Sequence, residues 1–232
     1  MYLSKYQQIK SQIAKLLDKL YIPDNICLSC NNYFKPTLQG YVCDDCIASV
    51  KANIFEKESF DYIDAYRIFG AYEGALQQMI IALKFKRASL FANIIGDIVK
   101  DDFLNFANAV NPDIISFVPV SFFRFWQRGY DQNDIILKAL NVDYTFLLKR
   151  TKHAKPLALS LKKEQRLKIV SGAFDIKKEF KFNLENKRIL VFDDIITTGA
   201  TAVSIARVLK MHAVKEVYFY FIASHKKHVS ML

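Results

Sequence analysis

Glycine is scarce: the chain has seven in 232 residues, none spaced Gly-x-Gly-x-x-Gly and none followed by Lys-Thr. The dinucleotide fingerprint and the P-loop are therefore excluded, because both need glycines that bring backbone N–H groups onto phosphate. Long apolar runs are missing too. No stretch approaches the roughly 20 residues that cross a bilayer, so no membrane span is expected. The stretch 1–17 lacks the apolar segment of a secretory signal, and a cytoplasmic location is expected. Acidic residues are the minority charge, with 23 Asp+Glu against 33 Lys+Arg, a net charge of +10 and a pI near 9.3. That balance points to polyanionic company, whether nucleic acid, a phosphorylated ligand or an anionic membrane surface. Internal repeats and low-complexity segments are absent, and 52% apolar composition suffices for one good core and a small appendage.

The chain is organised around Arg188 to Leu209, reading RILVFDDIITTGATAVSIARVL. Ile189 to Phe192 form a continuous apolar run of the kind found in strands buried on both faces. Asp193 and Asp194 follow, then Thr197, Thr198, Gly199, Ala200 and Thr201, then apolar residues at helical spacing (Val203, Ala206, Leu209). This predicts strand, polar loop and helix, with the loop at the carboxyl end of the strand, where open α/β sheets bind ligands. Small hydroxyl residues around one glycine at a helix N-terminus suit a phosphate. The paired acids would repel that phosphate, and they suit vicinal ribose hydroxyls or Mg²⁺ instead. The competing interpretation is an ordinary strand-to-helix turn capped by Thr198 or Asp194. From Ile189 to Thr201, thirteen residues resemble the phosphoribosyl-pyrophosphate (PRPP) motif of phosphoribosyltransferases. In that family the acids hold ribose hydroxyls and the Thr-rich loop holds the 5-phosphate.

The four cysteines form a second constellation: Cys27-x2-Cys30, twelve residues, then Cys43-x2-Cys46. Two short knuckles joined by such a loop can bring four thiolates onto one tetrahedral Zn²⁺. Asn31, directly after the first knuckle, can adopt the left-handed conformation such turns want. Two disulfides or a redox-active pair are the alternatives; a reducing compartment disfavours the first, and one Cys-x-x-Cys would suffice for the second. A closed four-thiolate site is structural, with no open position for catalysis.

Elsewhere the pattern predicts an amphipathic helix over 4–20 and strand pairs over 60–72, bent near Gly70. Helices are predicted over 74–84 and 89–106, the first ending in the basic cluster Lys84-Phe85-Lys86-Arg87. A second buried strand runs from Ile114 to Val118, a hairpin-like excursion is expected over 174–185, and another apolar strand spans Val217 to Ala223. Strands alternating with helices predict a mainly parallel sheet covered on both faces. Between them lies VPVSFFRFWQRGYDQND, where Arg124 and Arg128 alternate with aromatics including Trp126 and Tyr130. Interleaved arginine and aromatic side chains serve single-stranded nucleic acid, an arginine near a strand end can clamp pyrophosphate, and a lid packed on the core is the third option. The window 149–168 has eight cations, among them Lys162, Lys163 and Arg166, against Glu164 alone. It is expected to be a loop beside a site or a solvated face.

The order of parts resembles the ComF family, the competence-associated proteins of bacterial DNA uptake. The landmarks are the cysteine ribbon, Tyr72-Glu73-Gly74, the lysine cluster at 84–86, Val118-Pro119-Val120, Arg128-Gly129-Tyr130-Asp131-Gln132 and the acid–threonine motif. The family usually reads Arg-Gly-Phe-Asn-Gln at the fifth landmark, so Tyr130 and Asp131 are departures, and Ile169 stands where the family tends to have Asn. The resemblance implies a type I phosphoribosyltransferase-like fold after a zinc ribbon, divided as an N-terminal helix (1–22), the ribbon with a linker helix (23–58) and the α/β domain (59–232). It implies PRPP binding with Mg²⁺ and a role in natural transformation beside a competence helicase or other uptake protein. Asp193 and Asp194 would orient the ribose in any displacement of pyrophosphate, with Lys84 or Arg128 on the pyrophosphate. Single-stranded DNA is expected to meet Arg124, Trp126, Tyr130, Lys162, Lys163 and Arg166. A nucleobase salvage transferase and a non-catalytic binding scaffold are the alternatives.

Overall fold

A computed structural model of the chain describes residues 26–33, 42–50, 55–86, 88–151, 173–181 and 183–225. The expected helix over 4–20, most of the basic window and the lysines at 226–227 lie outside the described residues. After a short helix α1 (Asp44–Ala48) come strands β1 (Phe55–Phe60) and β2 (Ile63–Ala71), then helices α2 (Gly74–Phe85) and α3 (Phe91–Val110). Strand β3 (Ile114–Phe117) leads to two short helices, α4 (Phe122–Arg128) and α5 (Gln132–Leu140). Next are β4 (Leu148–Arg150), β5 (Phe174–Ile176), β6 (Arg188–Ile196), α6 (Ala200–Lys210) and β7 (Glu216–Ser224).

The main sheet has the order β1-β2-β7-β6-β3. β2, β7, β6 and β3 run parallel, and β1 closes one edge antiparallel. In β6 the side chains alternate between two cores, as the strand's two-residue period requires. Leu190 and Phe192 join residues of α2, α3 and α5, whereas Ile189 and Val191 join residues of α6. Helices thus cover both faces of a mainly parallel sheet, as the sequence predicts. On the α3 face Phe103 meets Tyr220 and Phe192 edge-on, with centroids 5.0 and 5.9 Å apart. Asp102 of α3 accepts Arg67 NH2 at 2.6 Å and Tyr220 Oη at 2.9 Å, tying that helix to β2 and β7.

Two expectations are corrected. The chain does not bend at Gly70, which lies within β2 opposite Ala223. It reverses at Asp61 and Tyr62, whose φ angles of 29° and 70° make the turn into β2. Residues 174–185 do not form their own hairpin. β5 pairs antiparallel with β4, Leu148 opposite Ile176, and the segment then closes in a 3₁₀ turn at Lys178–Phe180. Leu147 O accepts Lys177 N and Ala173 O accepts Thr151 N, both at 2.9 Å, so the partner strand satisfies the backbone groups a local hairpin would have paired.

Caps position α4 and α5. Ser121 Oγ accepts Arg124 N, and Gly129, with φ of 87°, ends α4 in the left-handed region. Asp131 then caps α5 by accepting Asn133 N. α5 packs against α3 at Gly96, where a Cβ would lie 2.8 Å from Ala139 Cβ. Gly→Ala in a helix interior ordinarily stabilises by about 0.5–1 kcal/mol. Here the clash involves an atom fixed to the opposing backbone, so Gly96→Ala should destabilise by roughly 1–3 kcal/mol. Ala139→Gly should restore part of that loss. Denaturant unfolding checks both, and a Gly96→Ala variant more stable than wild type contradicts the packing.

Candidate functional site

β6 delivers Asp193 and Asp194 to the carboxyl end of the sheet, and Thr197, Thr198 and Gly199 link it to α6. Gly199 is the left-handed N-cap of α6, with φ of 71°, a position that favours glycine. Its carbonyl accepts Val203 N at 2.9 Å, starting the helix. A small open pocket lies here, lined among others by Asp193, Thr197, Thr198, Gly199, Ala200 and Thr201. Thr197 is exposed, Thr198 and Thr201 are half-buried, and Gly199 and Ala200 are buried. Backbone N–H groups at the start of α6 and three hydroxyls therefore border a space next to a carboxylate.

The two acids have different surroundings. Asp194 Oδ1 accepts Lys84 Nζ of α2 at 2.8 Å, and Oδ2 accepts Gln132 Nε2 of α5 at 2.8 Å. Gln132 Oε1 accepts Arg128 NH1 at 2.7 Å. Asp193 Oδ1 accepts Asn133 Nδ2 and Asp194 N, both at 3.0 Å. Burial pushes Asp193 up to about 7, with the Asp194 charge adding to the rise and Asn133 and Lys84 opposing it. Asn133 Nδ2 also donates to Val118 O, while Asn133 Oδ1 is buried and has no hydrogen-bond partner among the described residues.

Lys84 thus sits at the acids, and Arg128 reaches them through Gln132. Arg128 is buried, with its guanidinium 5.5 Å from the ring centre of Phe85. Tyr130 needs correction as a stacking residue: it is 7% exposed in the core, and its hydroxyl donates to Leu83 O at 2.6 Å. The short link between α4 and α5 turns it inward. Arg124 and Trp126 remain exposed on α4, beside exposed Phe122 and Phe123. Lys162, Lys163 and Arg166 lie outside the described residues. Arg150, at the end of β4, donates to Pro119 O at 3.2 Å with its guanidinium 4.8 Å from the Phe174 ring centre.

Gln132 and Asn133 are site residues that the sequence reading leaves out, although Gln132 closes the Arg128–Gln132 landmark. Their signal was available in outline: Asp131 is a helix-capping residue type, and the two residues after it start the first turn of α5. What aims that turn at β6 is the hold of Asp131 on Val120 N at 2.8 Å, which fastens α5 to the loop after β3.

The four cysteine Sγ atoms lie within 4.8 Å of one another and are positioned to bind a metal ion. The first knuckle closes as Asn31, at φ of 60°, donates its N–H to Cys27 O at 2.7 Å. The second runs into α1, which contains Cys46. Cys30 and Cys43 Sγ are 3.8 Å apart. Burial would raise Cys27, but N–H groups of Cys30, Cys43 and Ser29 outweigh it and bring it down to about 6, whereas burial pushes Cys46 up to about 12.

With this geometry in hand, the chain can be set beside known proteins. No family model matches it. It is 33% identical over 119 residues to Competence protein F of Haemophilus influenzae, covering 48% of this chain and 50% of that protein. It is 26% identical over 149 residues to DNA utilization protein YhgH of Escherichia coli, covering 60% and 62%. The matches therefore span half to about three-fifths of these relatives' lengths. Among solved structures, a hypoxanthine phosphoribosyltransferase from Staphylococcus aureus is similar, with a TM-score of 0.36 and 14% identity over 57% of this chain and 64% of that one. An allosteric regulatory enzyme of purine biosynthesis gives 0.35 and 19%, over 58% and 25%. Among the described residues no helix is long and apolar enough to cross a membrane.

Asp131 gives the site a pH signature. Burial raises it from 3.8 to about 7, against the N–H groups of Val120 and Asn133. Between those values the folded state binds more protons than the unfolded, so this stability is complete below about pH 4 and lost as pH rises through 7. Among the described residues Asp131 and Asp193 are the two strongly raised acids, and Asp131→Asn removes one of them. The fall in Tm between pH 5 and pH 8, followed by calorimetry, should become smaller; an unchanged fall puts the proton uptake elsewhere.

Proposed function

We propose that the protein serves DNA uptake or utilisation, with an α/β domain that binds a phosphoribosyl ligand, PRPP foremost, and a cysteine module that holds zinc. The observation that carries the ligand reading is the pocket at the end of β6, where one carboxylate faces three threonines and the N-terminus of α6. An acid beside a phosphate cradle suits a sugar phosphate, which brings hydroxyl donors and an anion on one small molecule. Mg²⁺ would accompany the diphosphate and neutralise its charge. The DNA reading rests on the names of the two relatives, the net charge of +10 and the exposed Arg124 and Trp126. A location in the cytoplasm accords with it.

Titration calorimetry with Mg²⁺–PRPP tests the site directly. Wild-type protein should bind; Asp193→Asn should weaken binding about tenfold or more, the effect of losing a hydrogen bond to a charged group. Thr198→Val should weaken it with little change in Tm. Affinity that ignores both changes moves the ligand elsewhere.

For the cysteines, Zn²⁺ is the fitting ion. Zn–S bonds near 2.3 Å in a tetrahedron put sulfurs about 3.8 Å apart, the separation of Cys30 and Cys43. Cys27, Cys30, Cys43 and Cys46 would fill its coordination as thiolates. Metal analysis of reduced protein should find one Zn²⁺ per chain, lowered by Cys43→Ser together with the Tm. Two disulfides by mass, or no zinc, would sink the assignment.

Single-stranded DNA should bind without sequence preference. Log affinity should fall with log salt by about 0.7 per neutralised phosphate. Trp126→Ala should weaken binding without altering that slope, because stacking releases few counterions. Replacing Lys162, Lys163 and Arg166 with Ala should flatten the slope. No binding at low salt would leave these cations as a solvated face and favour a salvage transferase.

A further inference from the structure

Asp193 and Asp194 are neighbours in sequence, yet only one of them is open to a ligand. Asp194 is 5% exposed and does not line the pocket. Both of its oxygens are occupied, Oδ1 by the Lys84 ammonium and Oδ2 by Gln132, which is itself held by Arg128. A sugar hydroxyl could reach it only by displacing one of these partners from a buried carboxylate, which is costly. Asp193 lines the pocket and uses Oδ1 for Asn133 and for Asp194 N. Among the described residues its Oδ2 accepts no hydrogen bond.

We propose that the two acids divide the work. Asp193 meets the ligand's hydroxyls, whereas Asp194 is a positioning residue that holds the Lys84 ammonium beside Asp193 and, through Gln132, is braced by Arg128. This rests on the phosphoribosyl reading and assigns the separate parts of that ligand to separate residues. Lys84 has three N–H donors, and among the described residues one is used on Asp194. Its charge also reaches Asp193, where it opposes part of the rise that burial causes. Lys84, like Asp194, is outside the lining of that pocket. Its remaining donors therefore suit a second anion on the far side of the sugar rather than the 5-phosphate, and the diphosphate of PRPP is the group that ribose 5-phosphate lacks. Lys84 therefore sets the preference for the diphosphate ligand, and Asp194 sets Lys84. Arg128, at 5% exposure, acts from behind rather than on the ligand.

The test compares Mg²⁺–PRPP with ribose 5-phosphate by titration calorimetry. Asp193→Asn should weaken both ligands together, by about tenfold or more, the effect of a hydrogen bond to a charged group. Lys84→Met should lower the preference for PRPP over ribose 5-phosphate about tenfold. The same change made in an Asp194→Asn background should lower it less than threefold, because the ammonium is no longer held there. That double variant has lost both charges, so it leaves neither one buried alone and keeps the comparison possible if a single variant folds poorly. If the double variant weakens both ligands as evenly as Asp193→Asn does, Asp194 touches the sugar and the division is wrong, although the phosphoribosyl reading stands. A Lys84→Met effect of full size in the Asp194→Asn background overturns the positioning role. Wild-type protein that binds neither ligand overturns the phosphoribosyl reading and this division with it.

Discussion

The structure depends on β6 being buried on both faces between two parallel neighbours. β7 and β3 take its backbone hydrogen bonds, so the strand's two-residue period assigns every side chain to one core or the other. Leu190 and Phe192 fill the side of α2, α3 and α5, and Ile189 and Val191 fill the side of α6. The same alternation continues past the apolar run. It sends Asp194 towards Lys84 and Gln132 on the first side and leaves Asp193 at the pocket before α6. The core and the site thus follow from one register, and a shift of one residue would exchange the two acids.

Burying adjacent carboxylates is costly unless each is paired and hydrogen-bonded. The compensation comes from two helices. α2 brings Lys84 in its last turn, and α5 brings Gln132 and Asn133 in its first. The approach of α5 depends on Gly96 in α3, which lets Ala139 come close, and on Asp131, which ties the start of α5 to the loop after β3. Small and polar residues away from the pocket therefore decide how the acids are held. Asp131 does this while buried itself, and its raised pKa reflects that burial.

The cysteine module is not a separate bead. Cys27 and Val42 lie in the same apolar cluster as residues of α2 and α3, with Cys43, Cys46 and Ile47 packed against it. A metal that fixes the four thiolates would therefore also fix one boundary of that core. On α4, by contrast, Phe122, Phe123 and Trp126 are exposed large apolar side chains. Ser121 and Gly129 close that short helix at both ends, so these rings are presented on an ordered segment.

The sequence by itself determined the strand, loop and helix of 188–209, the fold class and the pairing of the cysteine knuckles. Each is a local pattern: an apolar run before two acids, helical spacing after a glycine, and a fixed interval between Cys-x-x-Cys units. Asn31 in the left-handed region follows from the same local chemistry. Only the tertiary structure decided which side chains hold the acids, because Lys84 and Gln132 lie 110 and 62 residues from Asp194 along the chain. It also decided that Tyr130 faces inward to Leu83, that Gly70 runs straight through β2 and that β5 finds its partner in β4. No local spacing encodes these outcomes. They depend on which surfaces meet when helices pack on a sheet, and two adjacent aspartates that look equivalent in the sequence become unlike because one takes Lys84 and Gln132 while the other borders the pocket.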